Sequence, residues 1–177
     1  SLSINQLSDS IPTELGNLSN LQILNLGNNQ LSDSIPTELG NLSNLTTLNL
    51  GNNTTLSGSI PTELSNLSKL TDLQLHRNSL TGEIPSAIYK LSKLEKLQLN
   101  NNKLTGEILS DITQLSSLGT LNMSFNNLSG SIPLELSKLI KSNNLDLRNN
   151  NLNGTIPSKL SELTNMYMFD LSENNLS

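Results

Sequence analysis

The feature that most constrains the fold of this chain is an internal repeat of 24 residues. Leucines recur at that spacing, with one step of 25, at Leu7, Leu31, Leu56, Leu80, Leu104, Leu128, Leu152 and Leu176. Every proline falls five positions after one of these leucines, at Pro12, Pro36, Pro61, Pro85, Pro133 and Pro157. Only Leu109 interrupts the proline column. A fixed period of this length predicts a solenoid, in which each repeat forms one coil and packs on its neighbours.

Residues 21–45 allow a physical interpretation of one coil. The alternating apolar residues of 21–26 predict a short strand with one buried face, and successive strands must pair in parallel because a lone strand is unstable. Asn29 follows, and its buried amide is predicted to bond the backbone of its own and the adjacent coil. Pro36 favours an extended residue before it, and the period-three leucines of 39–45 predict a short 3₁₀ helix. The predicted fold is an α/β solenoid, a right-handed superhelix with a parallel β-sheet on one side and 3₁₀ turns on the other.

Composition argues against several classes of functional site. The chain has no cysteine, which excludes a disulfide framework and a thiolate metal site. His76 is the only histidine, and no nucleophile or set of metal ligands accompanies it. Aromatic residues make up 2% of the chain and the net charge is −5, so a nucleic-acid partner is not expected. No apolar run is long enough to span a membrane. We therefore predict no enzymatic activity, cofactor or metal site.

Residues 70–93 display the full repeat as LTDLQLHRNSLTGEIPSAIYKLSK. The shared pattern, LxxLxLxxNxLxGxIPxxLxxLxx, resembles the plant-type leucine-rich repeat of receptor-kinase ectodomains, polygalacturonase inhibitors and some microbial surface proteins. The resemblance covers the whole chain. It implies a curved solenoid with its parallel sheet on the concave side, and a recognition function outside the cell or at the cell surface. The implied partner is a protein or peptide, which the variable positions of the sheet would bind.

The outward positions of the predicted strands differ most between repeats. In the first two coils they carry mainly small and amide side chains, whereas charged and aromatic residues occur from the third coil onward. The residues predicted to bind a partner on the concave face are Asp72, Gln74, His76, Arg77, Lys96, Gln98, Phe125, Asp146, Arg148, Tyr167 and Asp170. Because arginine and aromatic anchors carry most of the energy of binding surfaces, Arg77, Phe125, Arg148 and Tyr167 are the leading candidates.

Two other functions remain open from the sequence. Residues 7–26 and 31–50 are nearly identical, which would suit a structural spacer, a filament or an adhesin stalk. Hydroxyl side chains also recur one position after the reference leucines, at Ser8, Ser32, Ser57, Thr81, Thr105 and Ser129. Such rows, at the spacing of neighbouring strands, resemble the ice-binding faces of some solenoid antifreeze proteins. Glu83 and Glu107 interrupt a second hydroxyl row two residues further on.

The chain contains ten Asn-x-Ser/Thr sequons, many of which arise because the repeat itself reads Asn-Leu-Ser. If the protein follows a eukaryotic secretory route, three of them are possible glycosylation sites on the convex side, at Asn17, Asn41 and Asn66. Glycans there would leave the concave face accessible.

Both ends of the chain are interpreted as cut through the repeat pattern. We expect a single array over residues 1–177, with about seven repeats and no end caps, that forms a segment of a longer protein. The residues expected to lack a covering coil are Leu2 and Leu7 at the start, and Phe169, Leu171 and Leu176 at the finish. Such exposed apolar ends predict fraying or end-to-end self-association.

Overall fold

A computed structural model describes residues 1–177 and arranges them as a stack of coils around one leucine core. One strand from each coil joins a parallel sheet of seven strands: Ile23–Asn25, Thr47–Asn49, Asp72–Gln74, Lys96–Gln98, Thr120–Asn122, Asn144–Asp146 and Met168–Asp170. Their order in the sheet is their order in the chain, as a solenoid requires. The predicted α/β solenoid with a parallel sheet is confirmed.

Each coil returns through a short 3₁₀ helix on the side of the core away from the sheet. The seven helices are Thr13–Asn17, Thr37–Asn41, Thr62–Asn66, Ser86–Lys90, Ser110–Gln114, Leu134–Lys138 and Ser158–Glu162. None of them is long and apolar enough to cross a membrane. A third layer of short strands lies between sheet and helices and forms three parallel pairs: Ser32–Ser34 with Thr55–Ser57, Thr81–Glu83 with Lys103–Thr105, and Asn153–Gly154 with Asn175–Leu176.

The register of the main sheet follows the repeat. Ile23 pairs with Thr47, and Thr47 pairs with Asp72, so the longer second step of the repeat is absorbed without shifting the register. The extra residue lies just before the strand Thr55–Ser57, outside the main sheet. Equivalent positions of successive coils therefore lie side by side along the whole stack.

A ladder of buried asparagines holds neighbouring coils together, as the sequence predicts. Asn102 illustrates it: its Nδ2 donates to the carbonyl oxygens of Leu75 and Leu99, both at 2.9 Å, and its Oδ1 accepts the N–H of Leu80 at 3.0 Å. One amide thus satisfies backbone groups of two coils that no strand pairing reaches. Because unpaired buried backbone groups cost stability, loss of an asparagine from this column would be destabilising.

At one equivalent position of the 3₁₀ helices, the size of the side chain changes along the stack. The members of this column are Gly16, Gly40, Ser65, Tyr89, Thr113, Ser137 and Ser161. A Cβ atom at Gly16 would lie 2.8 Å from the carbonyl carbon of Glu38, so the coils approach there too closely for a side chain. Tyr89 instead places a fully buried ring in the column. Its hydroxyl has no hydrogen-bond partner, and burial together with the charge of Asp111 raises the pKa of Tyr89.

The terminal coils expose part of the apolar surface that interior coils cover. Leu2 and Leu7 at the start and Phe169 at the finish are exposed, as predicted. Leu171 and Leu176 are only half-buried rather than exposed, because they still pack against the core from one side.

We predict that replacing Leu109 by proline stabilises the protein. Leu109 precedes its helix with φ −77° and ψ 150°, close to Pro85 and Pro133 at φ −59° and −69°, and its N–H donates no hydrogen bond. Proline would therefore fit without strain and would restrict the unfolded chain, adding about 0.4–1 kcal/mol to the free energy of unfolding. Urea denaturation measures the change. Leu109→Ala is the control, because it removes the side chain without restricting the backbone, and equal stability of the two variants would contradict the prediction.

Candidate binding face

The outward side chains of the seven-stranded sheet, together with the residues that flank each strand, form a surface that we call the strand face. All of the predicted partner-binding residues lie on it: Asp72, Gln74, Lys96, Gln98, Asp146 and Asp170 within strands, His76, Arg77, Phe125 and Arg148 after a strand, and Tyr167 before one. The structure brings some of them into contact and leaves others isolated. Two groups of contacts organise the face.

The first group surrounds Arg148. Its guanidinium carbon lies 5.1 Å from the centroid of the Phe125 ring, within the range of a cation–π contact. Nη1 donates to Oδ2 of Asp170 at 3.5 Å, and Nε lies 3.7 Å from Oδ2 of Asp146. One ring and two carboxylates therefore hold the guanidinium in place across three coils. Its side chain remains partly exposed, so the group can still meet a ligand.

Asp146 corrects one expectation from the sequence. Asp146 is only 1% exposed, so its carboxylate cannot contact a partner directly in this structure. Oδ1 accepts the N–H of Arg148 at 3.2 Å, and Oδ2 faces the guanidinium. The buried Asp146 carboxylate therefore contacts both the backbone N–H and the guanidinium of Arg148 and helps to position that side chain.

In other coils too, the side-chain oxygen of the last strand residue accepts the N–H of the residue two positions later. Asn49 accepts the N–H of Gly51 at 2.9 Å, and Asp170 accepts both the N–H and the hydroxyl of Ser172, at 3.0 and 2.6 Å. These bonds from Ser172, with the positive charge of Arg148, hold the pKa of Asp170 below its usual value against the opposing effect of burial. Sequence reasoning missed this structural role; the signal was an Asn or Asp at one column in five of the seven coils.

The second group surrounds His76. The imidazole lies against the backbone of the preceding coil, where a Cβ at Gly51 would come within 2.7 Å of its Nδ1. Nε2 is 3.3 Å from Nδ2 of Asn52, whereas Nδ1 is buried without a partner. Burial, followed by the positive charges of Arg77 and Lys96, lowers the pKa of His76 below 6.5, and Asp72 acts weakly in the opposite direction. The ring is therefore neutral at pH 7.

Two polar residues of the third coil are bonded to each other within the strand face. Nε2 of Gln74 donates to Oδ2 of Asp72 at 2.8 Å, while Oδ1 of Asp72 is buried without a partner. An unpaired buried oxygen is costly, so a ligand donor placed here would gain from pairing it. Lys96 and Gln98 of the next coil are half-buried and make no side-chain hydrogen bond within the chain.

A left-handed backbone follows every strand, and it explains why two of the anchors are unusual. The residue before each ladder asparagine has a positive φ, and in four coils it is asparagine: Asn28, Asn52, Asn101 and Asn149. Arg77 and Phe125 occupy the same position in interior coils with φ 53° and 54°, as do Ile4 and Glu173 in the terminal coils with φ 58° and 55°. Asparagine tolerates this conformation, whereas long and aromatic side chains are disfavoured in it. The chain thus holds an arginine and a phenylalanine at a conformational cost, which is a feature of functional positions.

The exposed aromatic residues lie at two edges of the face. Tyr167 is 80% exposed and makes no side-chain hydrogen bond, and Phe125 is 37% exposed beside Arg148. Phe125 shares its column with Glu173, six residues beyond Tyr167. At usual strand spacings the two rings are roughly 20 Å apart. The structure therefore does not bring the predicted anchors into one pocket but spreads them along a surface.

Comparison with known proteins identifies similar sequences and structures. Leucine-rich repeat family models match residues 20–42, 44–67, 68–128 and 143–163. The chain is similar to the plant peptide hormone receptor RGFR1 solved in complex with RGF2, with a TM-score of 0.95 and 42% identity over 97% of this chain and 27% of that one. A comparison with curated protein sequences finds no match.

Two further solved structures show how widely the same scaffold is used. A leucine-rich repeat protein of Leptospira interrogans has a TM-score of 0.78 and 37% identity over 97% of this chain and 42% of that one. A plant ice-binding protein has a TM-score of 0.72 and 28% identity over 99% of this chain and 72% of that one. The chain thus spans only a minor part of the receptor and of the bacterial protein.

We predict that Arg77→Asn stabilises the protein. Asparagine suits the left-handed backbone, and Arg77 makes no ion pair that would be lost, so the free energy of unfolding should rise by about 1 kcal/mol. Urea denaturation at pH 7.5, where His76 is neutral, measures the change. Arg77→Ala is the matched control, because alanine is no better suited to a positive φ. A gain in both variants would show that charge, rather than backbone conformation, is responsible.

We predict a pH dependence of stability that originates in His76. Its pKa is lowered in the folded state, so the folded protein binds the proton less tightly than the unfolded chain. Folded stability is therefore undiminished above pH 6.5, falls as the pH drops below it, and levels off beneath the folded pKa. The His76→Gln variant should lose less stability than the wild type between pH 7 and pH 5 in urea titrations. Parallel losses in the two proteins would assign the dependence to other groups.

Proposed function

The chain belongs to the plant-type leucine-rich repeat family, and we propose that it is a non-enzymatic recognition module that binds a peptide or protein segment across its strand face. The observation that carries this proposal is the Phe125–Arg148 pair. Both side chains are held where a ligand can meet them, one in a strained backbone position and the other between two carboxylates. Aromatic and arginine residues preorganised in this way are the usual anchors of protein interfaces.

The proposed ligand is an extended segment of about six residues or more. That length spans the roughly 20 Å between Phe125 and Tyr167. An apolar or aromatic ligand side chain would pack on each ring. Nη2 of Arg148 donates to no group of the chain and would bind a ligand carbonyl or carboxylate. The receptor RGFR1, to which the chain is similar, was solved with a peptide hormone on a scaffold of this kind, which supports a peptide as the ligand.

The accompanying proposals concern location and modification. Receptor ectodomains among the similar structures support a position outside the cell or at its surface. Asn17, Asn41 and Asn66 are exposed at the ends of the first three 3₁₀ helices, on the side away from the strand face. Glycans at these asparagines would not obstruct a ligand. The interaction requires no cofactor.

Ice binding is the second function that a specific observation favours, because a plant ice-binding protein is among the similar structures. The hydroxyl row weakens it. The hydroxyls of Ser57, Thr81 and Ser129 each lie 3.3–3.4 Å from a carbonyl oxygen of the preceding coil and so are engaged within the protein. Glu83 and Glu107 are exposed in the adjacent row. A role as a spacer remains the alternative for the nearly identical first two coils.

We predict that a triple variant, in which Arg77, Phe125 and Tyr167 are replaced by alanine, loses peptide binding. The probe is a displayed library of random twelve-residue peptides selected on the wild-type protein. Enriched peptides should bind the variant at least about tenfold more weakly, since the anchors supply most of the binding energy. Arg148 is left in place because its removal would leave Asp146 buried beside no cation. Isothermal titration calorimetry measures the affinities.

The control is a variant with Lys69, Lys93 and Lys141 replaced by alanine. These exposed lysines share one column on the return side of the coils. Both variants should keep the circular dichroism spectrum of the wild type. Equal affinity of the strand-face variant and the wild type, or loss of affinity in the lysine variant instead, would reject the strand face as the binding surface. Thermal hysteresis of the wild-type protein in supercooled solution would favour the ice-binding alternative.

A further inference from the structure

Two residues depart from the repeat in neighbouring coils, at the starts of two successive 3₁₀ helices. The position after the conserved isoleucine of the repeat is proline in six coils and leucine at Leu109. The next position is serine or threonine in six coils and leucine at Leu134. Each departure replaces a residue that suits the start of a 3₁₀ helix by one that has no such advantage. The internal comparison between coils therefore marks both leucines as unusual.

The structure brings these two leucines together. Both line one groove of about 780 Å³, which we call the side groove and which also contains Pro133, Glu107 and Glu135. Leu109 is 38% exposed and Leu134 is 48% exposed. Neither is part of the core, because Ile108 and Ile132 fill the interior of these coils. The side groove thus presents apolar surface to solvent that the fold does not require.

The charged residues that line the side groove are both acidic. Glu107 and Glu135 line it, and Glu135 belongs to a column that is acidic in five coils: Glu14, Glu38, Glu63, Asp111 and Glu135. No lysine or arginine lines the groove. The side chain of Glu107 lies over the backbone of the next coil, where a Cβ at Gly130 would come within 2.7 Å of its Cγ. The Glu107 side chain therefore packs against Gly130 on one side while the residue remains exposed to solvent.

From these observations we propose that the side groove docks a protein segment in which a leucine-sized apolar side chain is flanked by lysine or arginine. The apolar side chain fits against Leu109, Pro133 and Leu134, and its basic neighbours face Glu107 and Glu135. Complementary charge of this kind steers association and selects partners, while the buried apolar contact supplies affinity. The site lies beside the helices and not on the sheet. It is therefore a second interaction surface, independent of ligand binding at the strand face.

The test uses two short synthetic peptides that differ only in charge. In one, leucines alternate with lysines, and in the other glutamates replace the lysines. Leucine methyl spectra of the ¹³C-labelled wild-type protein are recorded during titration with each peptide. The lysine peptide should shift the methyl resonances of two leucines in a saturable manner, and these resonances should be absent from the Leu109→Pro, Leu134→Thr double variant. The glutamate peptide should leave them unchanged.

Variants distinguish the groove from other surfaces. The double variant restores the residue types of the other coils, so it should remain folded while its affinity for the lysine peptide falls at least about tenfold. Glu107→Gln with Glu135→Gln should also weaken binding and reduce its dependence on salt. Ile140→Ser is the matched control, since Ile140 is likewise an exposed apolar residue in a column of serine and threonine on another side of the coil. Its affinity should equal that of the wild type.

Four results would overturn the proposal. The first is equal binding of the two peptides, and the second is undiminished affinity in the double variant. The third is a change in sedimentation of the free protein on removal of Leu109 and Leu134, which would show that a second copy of the chain covers the groove. Loss of binding in the strand-face triple variant alone would place the lysine peptide on the strand face, and would leave the proposed function standing without the side groove.

Discussion

The buried asparagine amide that joins each coil to the next is the interaction on which the rest of the structure depends. A solenoid turns its backbone sharply where each strand ends, and the turn leaves carbonyl and N–H groups that no sheet partner can reach. Asn102 pairs three such groups from two coils at once. Repetition of this bond keeps the ends of successive strands aligned with one another. Because this alignment is constant, equivalent outward side chains form columns, and these columns make up the strand face.

Backbone requirements also decide which outward positions are available for binding. The residue that ends a strand is often committed to a turn, as Asp146 and Asp170 are. The position before the ladder asparagine is left-handed, and half of the coils fill it with asparagine. Arg77 and Phe125 occupy it against that preference in the interior of the stack, as Ile4 and Glu173 do in the terminal coils. A variable column is therefore informative about recognition only after the residues required by the turn have been set aside.

The period of the sequence was sufficient to predict the strands, the 3₁₀ returns, the asparagine ladder and the parallel order of the sheet. It was also sufficient to assign Phe125, Arg148 and Asp170 to one face. It did not reveal that Asp146 is buried beneath Arg148, because periodicity defines the direction of a side chain and not what lies over it. Nor could it predict that His76 rests on Gly51, or that Leu109 and Leu134 share a groove. Those contacts depend on the volumes and conformations of the side chains, which the repeat period does not determine.

The change from Gly16 and Gly40 to Tyr89 in one column of the return helices has a consequence for the shape of the stack. Where glycine stands, the backbones of two successive coils lie close together at the back of the stack. Where a buried tyrosine ring stands, it acts as a wedge behind the core, while hydrogen bonds keep the spacing at the sheet unchanged. The stack must then fan open on that side. We therefore expect the bend of the sheet to be sharpest near the fourth and fifth coils, so that one aromatic residue at the back tilts the anchors of the front toward each other.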